Sequence, residues 1–254
     1  MSQLNSYGDA LRHRSEKRLR RRRGWYRIHK NPFVGFMIDL VIILAMALIM
    51  SLIIKTFFIR SFFIPSGSML ETLQIDDRIV VSQLSPRFFP INRGDVVVFK
   101  DPGGWLSPIT EIQQTPLEAV SEWFLSSFGI TAPDSKQHLV KRVIGIGGDE
   151  VVCCDADGKI TINGTPITEP YIANGQEPST KKFKADVPYG SIWVMGDNRG
   201  NSEDSRYHLD LPTKGFVSLD WVVGRAFQIT WPISNWKWLD NYPDVFQDVP
   251  DPSY

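Results

Sequence analysis

Residues Leu139–Ile146 read LVKRVIGI, a run of aliphatic and β-branched residues that contains two adjacent cations. Such residues pack well on a pleated sheet, so the run predicts a β-strand. Alternate residues of a strand face the same side, which places Lys141 with Val143 and Arg142 on the opposite face. We expect Lys141 to point inward and Arg142 to point to solvent. A lysine whose tip reaches water at a sheet edge fits the same run.

Similar short runs, separated by turn residues, occur on both sides of this strand. They are Arg78–Gln83, Asp95–Lys100, Glu150–Cys153, Lys159–Ile162, Ser191–Met195 and Val222–Trp231. The dipeptide Asn163-Gly164 favours a two-residue hairpin turn, because both residues tolerate a positive φ. This pattern predicts a mainly β fold.

One segment between the predicted strands departs from the β pattern. Thr115-Pro116-Leu117-Glu118 is a capping box with proline at the first helical position, and apolar residues then recur at helical spacing as far as Gly129. We expect one short helix of about 13 residues inside an insertion at about residues 104–137. Its apolar side packs on the sheet or lies on a membrane surface.

The stretch Phe33–Ile54 is apolar except for Asp39, and at about 1.5 Å per residue a helix of this length crosses a hydrocarbon core. A buried helix of a soluble protein is the alternative. The stretch is longer than the apolar core of a signal peptide. We therefore expect a transmembrane helix at residues 32–56, in which Asp39 reaches the headgroups or pairs with another helix.

Residues 1–30 contain ten basic and two acidic residues, so the remainder of this formally neutral chain carries a charge of −8. An arginine run can bind nucleic acid, but here it immediately precedes the predicted span. By the positive-inside rule it orients that span with the N-terminus in the cytoplasm. We expect a cytoplasmic tail at residues 1–31, a single-pass plasma-membrane protein, an extracytoplasmic body and no nucleic-acid partner.

Two groups of residues near the C-terminal half leave alternatives open. Cys153 and Cys154 are adjacent, and neighbouring strand residues face opposite sides, which favours free thiols over a disulfide between them. Trp231, Trp236 and Trp238 form either an aromatic belt at a membrane interface or a cover for the core.

A serine and a lysine are the candidate reactive residues. Ser68 lies in the loop Pro65–Met69, about 14 residues beyond the span, where a membrane-bound substrate would present its cleavage site. A serine in such a loop is more often a turn former. Neither His138 nor His208 has the surroundings of a catalytic triad. Lys141 can act as a base only if burial keeps its amine neutral at working pH.

These segments together resemble bacterial type I signal peptidase, a family of serine endopeptidases with a Ser/Lys dyad. The resemblance covers about residues 32–232. It rests on the apolar span, on Ser61-Phe62 leading into PSGSM at Pro65–Met69, and on the strand Asp77–Gln83. Four further blocks carry it, which are RGDVVVF at Arg93–Phe99, KRVIGIGGDEV at Lys141–Val151, GDNRGNSEDSR at Gly196–Arg206 and VGRAFQITWPI at Val223–Ile233. Leu70-Glu71-Thr72 departs from the proline-containing continuation that is usual in the family. This departure concerns the shape of the loop more than the chemistry.

The resemblance implies a role for each of seven residues. It makes Ser68 the nucleophile and Lys141 the general base, with Ser66 in the oxyanion hole. The supporting residues it implies are Ser202, which orients the lysine amine, the ion pair Asp204 and Arg206, and the carboxylate of Asp197.

The family fold consists of coiled antiparallel sheets. The resemblance implies a catalytic β domain at residues 57–149 and 193–254, and a small β-rich subdomain at residues 150–192. The expected partners are preproteins that carry signal peptides, the lipid bilayer and the secretion translocon. Neither a metal nor a cofactor is implied. Two rival interpretations are a membrane-tethered binding module without catalysis and a serine protease whose base is His208.

Overall fold

A computed structural model describes residues 32–106 and 138–252 of the chain, without the side chain of Thr56. The predicted basic tail, the predicted inserted helix and most of the insertion lie outside the described residues. The chain divides into two compact units, one with the residues up to Ile53 and the other beginning at Ile54.

The first helix, α1, spans Pro32–Phe57 and contains 26 residues. Its segment Pro32–Lys55 is long and apolar enough to cross a membrane, and its side chains are largely exposed. A helix that presents aliphatic side chains on all sides is typical of a membrane span rather than of a surface helix. The bounds agree with the span predicted at residues 32–56.

The strands form two antiparallel sheets. The larger sheet has eight strands in the order β1-β2-β11-β3-β4-β9-β10, with β12 also paired to β11. Its strands are β1 Ile59–Phe63, β2 Arg78–Ser82, β3 Val96–Lys100, β4 His138–Ile146, β9 Ser191–Met195, β10 Val217–Ser218, β11 Val222–Trp231 and β12 Lys237–Trp238. The smaller sheet has four strands in the order β7-β6-β5-β8, namely β5 Glu150–Cys153, β6 Ile160–Ile162, β7 Thr165–Pro166 and β8 Phe183–Asp186. A short helix, α2, follows at Pro243–Phe246.

The mainly β fold predicted from sequence is confirmed, and the predicted strand bounds agree to within one residue. Asn163 and Gly164 both have positive φ and join β6 to β7, as the hairpin signal indicated. The sequence analysis missed β1, β7, β8, β10 and β12. The smaller sheet lies within residues 150–192, the range proposed for a second subdomain.

The expectation that Arg142 points to solvent is wrong. Lys141 is 3% exposed and Arg142 is fully buried, although they face opposite sides of β4. Strand β4 lies in the interior of the larger sheet between β3 and β9. Apolar side chains cover the sheet on both faces, and Tyr171 and Tyr242 lie over the guanidinium of Arg142 at 4.2 and 5.2 Å. The alternation argument assumed that one face is open to water.

The expectation of free thiols is also wrong, because Cys153 and Cys154 form a disulfide. The argument from opposite strand faces presumed that both cysteines lie within the strand, whereas β5 ends at Cys153.

The three tryptophans near the C-terminus do not cover the core. Trp231, Trp236 and Trp238 are 52, 54 and 63% exposed. Phe57 and Phe58 are exposed as well. About half or more of the surface of each of these large apolar side chains is exposed.

Candidate active site

Ser68 lies on a short loop that β1 and β2 hold at its base. Ile64 and the residues before β2 exchange backbone hydrogen bonds, from Ile64 N–H to Asp77 O and from Asp76 N–H to Ile64 O, both at 2.9 Å. Met69 and Leu73 are buried and attach the loop to the core beneath it. Ser68 remains partly exposed between these anchors. The Ser68 hydroxyl can therefore reach solvent while the backbone around it is anchored.

Lys141 approaches this hydroxyl from strand β4, in the interior of the larger sheet. Its Nζ donates a hydrogen bond to Ser68 Oγ at 2.7 Å. Burial lowers the pKa of Lys141 from its usual 10.5 to about 8, because the charged form loses its hydration. The Asp204 carboxylate opposes this shift and the Arg206 guanidinium assists it. With a pKa of about 8, roughly a tenth of the amine is neutral at pH 7 and about half at pH 8.

Asp204 and Arg206 form a buried ion pair beside the lysine. Arg206 Nε and Nη2 donate to the two oxygens of Asp204, each at 2.8 Å. Asp204 also accepts a hydrogen bond from Gly196 N–H at 2.9 Å. Burial by itself raises the pKa of the Asp204 carboxyl, but the hydrogen bonds and charge of Arg206 hold it below its usual value. The pair is therefore ionised and fixes the backbone at Gly196.

Ser202 lies close to Ser68, although it does not bond to the lysine. Among the described residues its buried Oγ has no hydrogen-bond partner. A Cβ built on Gly196 would lie 2.2 Å from Ser202 Oγ and 2.4 Å from Ser68 O. Only glycine at position 196 allows these two serines to approach one another so closely.

Asp197 belongs to a second buried ion pair, with Arg142. Arg142 Nη2 and Asp197 Oδ2 are 2.8 Å apart, and Arg142 Nε donates to Asp197 Oδ1 at 2.9 Å. Thr72, from the loop that departs from the family pattern, donates to Asp197 Oδ2 at 2.5 Å. Burial lowers the pKa of Arg142, but the Asp197 carboxylate outweighs it, so the net shift is upward and the guanidinium is charged. This pair ties β4 to the segment after β9 and to the Ser68 loop.

Ser66 is exposed at the entrance of the site, with its Oγ 3.4 Å from Ser68 Oγ. Beside it is a cleft of about 140 Å³ that reaches Lys141 and has a largely apolar lining. The lining residues include Phe62, Ile64, Met69, Leu139 and Val140. Shallow apolar walls next to a serine suit small aliphatic side chains of a substrate.

The two histidines considered from sequence, His138 and His208, pack against aromatic rings. His208 stacks on Trp105 with ring centroids 4.3 Å apart, and burial lowers the pKa of its imidazole. His138 lines the cleft and packs against Phe62. Within the described ranges, no group of three or more His, Cys, Asp and Glu side chains could hold a metal ion.

Six of the seven predicted site residues fall into three bonded groups. These are Ser66 with Ser68 and Lys141, Asp204 with Arg206, and Asp197 with Arg142. Ser202 lies beside Ser68 and Gly196, and its Oγ has no hydrogen-bond partner among the described residues. Sequence reasoning missed the contributions of Arg142, Thr72 and Gly196. Gly196 lies in the block Gly196–Arg206 that was singled out from sequence.

Comparisons with known proteins agree with this geometry. A family model described as "Signal peptidase, peptidase S26" matches residues 37–231. A probable signal peptidase I of Mycobacterium leprae is 34% identical over 78% of this chain and 77% of its own length. Signal peptidase I of Mycobacterium tuberculosis is 36% identical over 78% of this chain and 74% of its own length. Signal peptidase I of Leptolyngbya laminosa is 33% identical over 75% and 78% of the two chains.

The described residues combine an apolar helix long enough to cross a membrane with a β fold whose cleft contains Ser68 and the buried Lys141. The chain belongs to the signal peptidase family, peptidase S26, and its enzymatic class is that of signal peptidase I.

Proposed function

We propose that this chain removes N-terminal signal peptides from secreted preproteins with Ser68 as nucleophile and Lys141 as general base. The observation that carries the proposal is the 2.7 Å hydrogen bond between Lys141 Nζ and Ser68 Oγ, made by a lysine whose pKa burial lowers to about 8. A neutral amine at this distance can accept the serine proton.

The reaction is an acyl transfer in two steps. Neutral Lys141 takes the proton from Ser68 Oγ as this oxygen attacks the scissile carbonyl carbon. Ser66 Oγ–H and Ser68 N–H donate to the oxyanion that forms. Protonated Lys141 then gives its proton to the leaving amine, and the acyl-enzyme bond to Ser68 is hydrolysed by a water from which Lys141 removes a proton.

Ser202, Asp204, Arg206 and Asp197 support this chemistry. We assign Ser202 Oγ as the acceptor for an N–H of the neutral amine, because this buried hydroxyl has no other partner among the described residues and lies next to Ser68. The Asp204–Arg206 pair holds Gly196. Asp197 holds Arg142 and Thr72.

The cleft beside Ser66 would receive small side chains of the signal peptide near its cleavage site. Its largely apolar walls and its volume of about 140 Å³ suit small aliphatic side chains. An extended substrate could add to a sheet edge as a further strand.

We assign helix α1 as a single transmembrane anchor with the N-terminus in the cytoplasm and the body outside. The ten basic residues before the helix support this orientation. Lipid contact by Trp236 and Trp238, which are more than half exposed, and a transient association with the secretion translocon belong to the same proposal. Protease added to intact spheroplasts should degrade the chain after about residue 60. Protection of the body with an accessible N-terminus would reverse this orientation.

The dyad is tested by cleavage of a purified preprotein by wild type, Ser68→Ala and Lys141→Ala. We expect both variants to lose cleavage, because each removes a group that forms or breaks a bond. His208→Ala is the matched control and should retain most activity. Near-normal turnover by Lys141→Ala would end the assignment of the base, and loss in His208→Ala alone would favour a histidine enzyme.

A further inference from the structure

We propose that Asn198, held by Gln176, is a positioning residue that fixes the direction of the Ser68 N–H group. This inference rests on the proposed function, in which that N–H binds the oxyanion. It concerns residues outside the seven assigned above.

Asn198 holds the peptide groups on both sides of Ser68. Its side-chain Nδ2 donates to Gly67 O at 2.8 Å, and its backbone N–H donates to Ser68 O at 3.1 Å. Leu70 N–H makes a longer contact of 3.3 Å with the same Gly67 oxygen. Asn198 is 6% exposed, so water competes little for these bonds.

The bond to Gly67 O determines where Ser68 N–H points. The C=O of Gly67 and the N–H of Ser68 belong to one planar trans peptide and point in opposite directions. A carbonyl that is bound to Asn198 on one side therefore directs the N–H away from Asn198. An oxyanion donor is effective only when it is oriented before the charge develops.

The orientation of the Asn198 amide is fixed by its partner Gln176. Gly200 N–H can only donate, and it donates to Gln176 Oε1 at 2.9 Å. Gln176 Nε2 must then face Asn198, where it donates to Oδ1 at 2.7 Å. Asn198 Nδ2 is left to face Gly67 O, which can only accept. Backbone groups of fixed polarity at both ends of this relay therefore allow one arrangement of the two amides.

Gln176 belongs to a loop that meets the site from the smaller sheet. Ala173 N–H donates to Asp197 O at 3.1 Å, and Gln176 N–H donates to Ala173 O at the same distance. The loop between β7 and β8 thus reaches the oxyanion donor through two side-chain amides. This loop supplies no reacting group, yet under this proposal it would affect kcat.

The test is steady-state cleavage by the full-length enzyme in detergent with Asn198→Asp. The carboxylate keeps the size of the side chain and can accept from Gln176, but it cannot donate to Gly67 O. We expect kcat to fall roughly 10- to 100-fold, less than the loss for a whole oxyanion donor, with KM nearly unchanged. Asn174→Asp introduces the same charge on an exposed position of the Gln176 loop and should behave as wild type.

A second readout separates positioning from a structural role. A peptide aldehyde that adds to Ser68 forms a tetrahedral oxyanion, whereas the corresponding peptide alcohol does not. Asn198→Asp should weaken aldehyde binding by the same factor as kcat and leave alcohol binding unchanged. If this variant does not fold, Gln176→Leu, at a partly exposed position, should give a smaller loss with the same selectivity.

Equal loss of aldehyde and alcohol binding, a pure KM effect, or an equal defect in Asn174→Asp would overturn the inference. So would wild-type kcat in both Asn198→Asp and Gln176→Leu. Those results would not contradict the assignment of Ser68 and Lys141 as the dyad, provided that Ser68→Ala and Lys141→Ala are inactive. If the dyad variants are active, the proposed function fails first.

Discussion

Lys141 and Ser68 are 73 residues apart in sequence, yet Lys141 Nζ lies 2.7 Å from Ser68 Oγ. The lysine comes from the interior strand β4 and the serine from the loop between β1 and β2. Strand β4 pairs with neither β1 nor β2, so the contact between Lys141 and Ser68 depends on the fold of the larger sheet as a whole. Under the proposed mechanism, the protonation state of this one amine controls activity.

The activity of wild type should rise with pH through the ionisation of Lys141. Its pKa is lowered to about 8, mainly by burial, and only the neutral amine can accept the serine proton. We expect kcat/KM on a peptide without groups that titrate in this range to rise with a midpoint near pH 8. A limb that appears only near pH 10 would identify Lys141 as an ordinary solvated lysine.

The same shift predicts how stability depends on pH. The unfolded chain binds the lysine proton up to about pH 10.4, whereas the folded chain loses it near pH 8. Between these values the unfolded state holds more protons, so the free energy of unfolding rises with pH. Below pH 8 the buried cation destabilises the fold. Urea unfolding of wild type and Lys141→Met at pH 7 and 9.5 should show this contribution in wild type alone. Identical pH dependence in both would contradict it.

Ser66→Ala should lower kcat by about 10² to 10³ and leave KM nearly unchanged. Its hydroxyl, 3.4 Å from Ser68 Oγ, is assigned to the oxyanion and not to the ground-state substrate. Steady-state kinetics on a signal-peptide substrate measures the split. Ser66→Thr keeps a hydroxyl and should recover part of the loss, whereas an effect confined to KM would argue for a binding role.

Ser202→Ala should lower kcat by leaving the neutral amine of Lys141 without an acceptor for one N–H. The nucleophile remains, so we expect Ser68 still to react with an acylating inhibitor, though more slowly. Kinetics and the inhibitor's rate of acylation check this. Wild-type values for both would mean that the buried Ser202 hydroxyl only fills space beside Gly196.

Arg142→Met should destabilise the fold by about 3–5 kcal/mol, because it leaves the Asp197 carboxylate buried without its partner. The urea midpoint of the detergent-solubilised chain reports this change. Lys184→Met, which removes an exposed ion pair with Glu150, is the matched control and should move the midpoint little. Equal shifts in the two variants would show that the burial of Arg142 has no energetic consequence.

Local patterns in the sequence predicted the strand bounds well, because alternation and turn residues are properties of short segments. They could not predict strands such as Thr165–Pro166 and Lys237–Trp238, which are two residues long and exist only through their partners. The wrong prediction that Arg142 points to solvent has a similar origin. Whether a strand face meets solvent depends on Tyr171 and Tyr242, which are distant in sequence.

The candidate reactive residues came from the resemblance of whole blocks and not from spacing. Ser68 and Lys141 by themselves had ordinary alternatives, a turn serine and a lysine at a sheet edge. The relay from Gln176 to Asn198 had no local signal, because an isolated glutamine in a polar loop has many uses. Its direction becomes evident only when the fixed polarity of Gly200 N–H and Gly67 O is known.

Strand β4 carries two adjacent basic residues, Lys141 and Arg142. Unlike the amine of Lys141, the guanidinium of Arg142 cannot lose its proton at any physiological pH. A slip of one residue in the pairing of β4 would exchange the faces of the strand on which the two side chains lie, with Arg142 on the face that Lys141 now occupies and Lys141 on the opposite face. Under the proposed mechanism, the slipped molecule would have a permanent cation and no base on the face that meets Ser68. The register of β4 would then be a precondition for proteolysis.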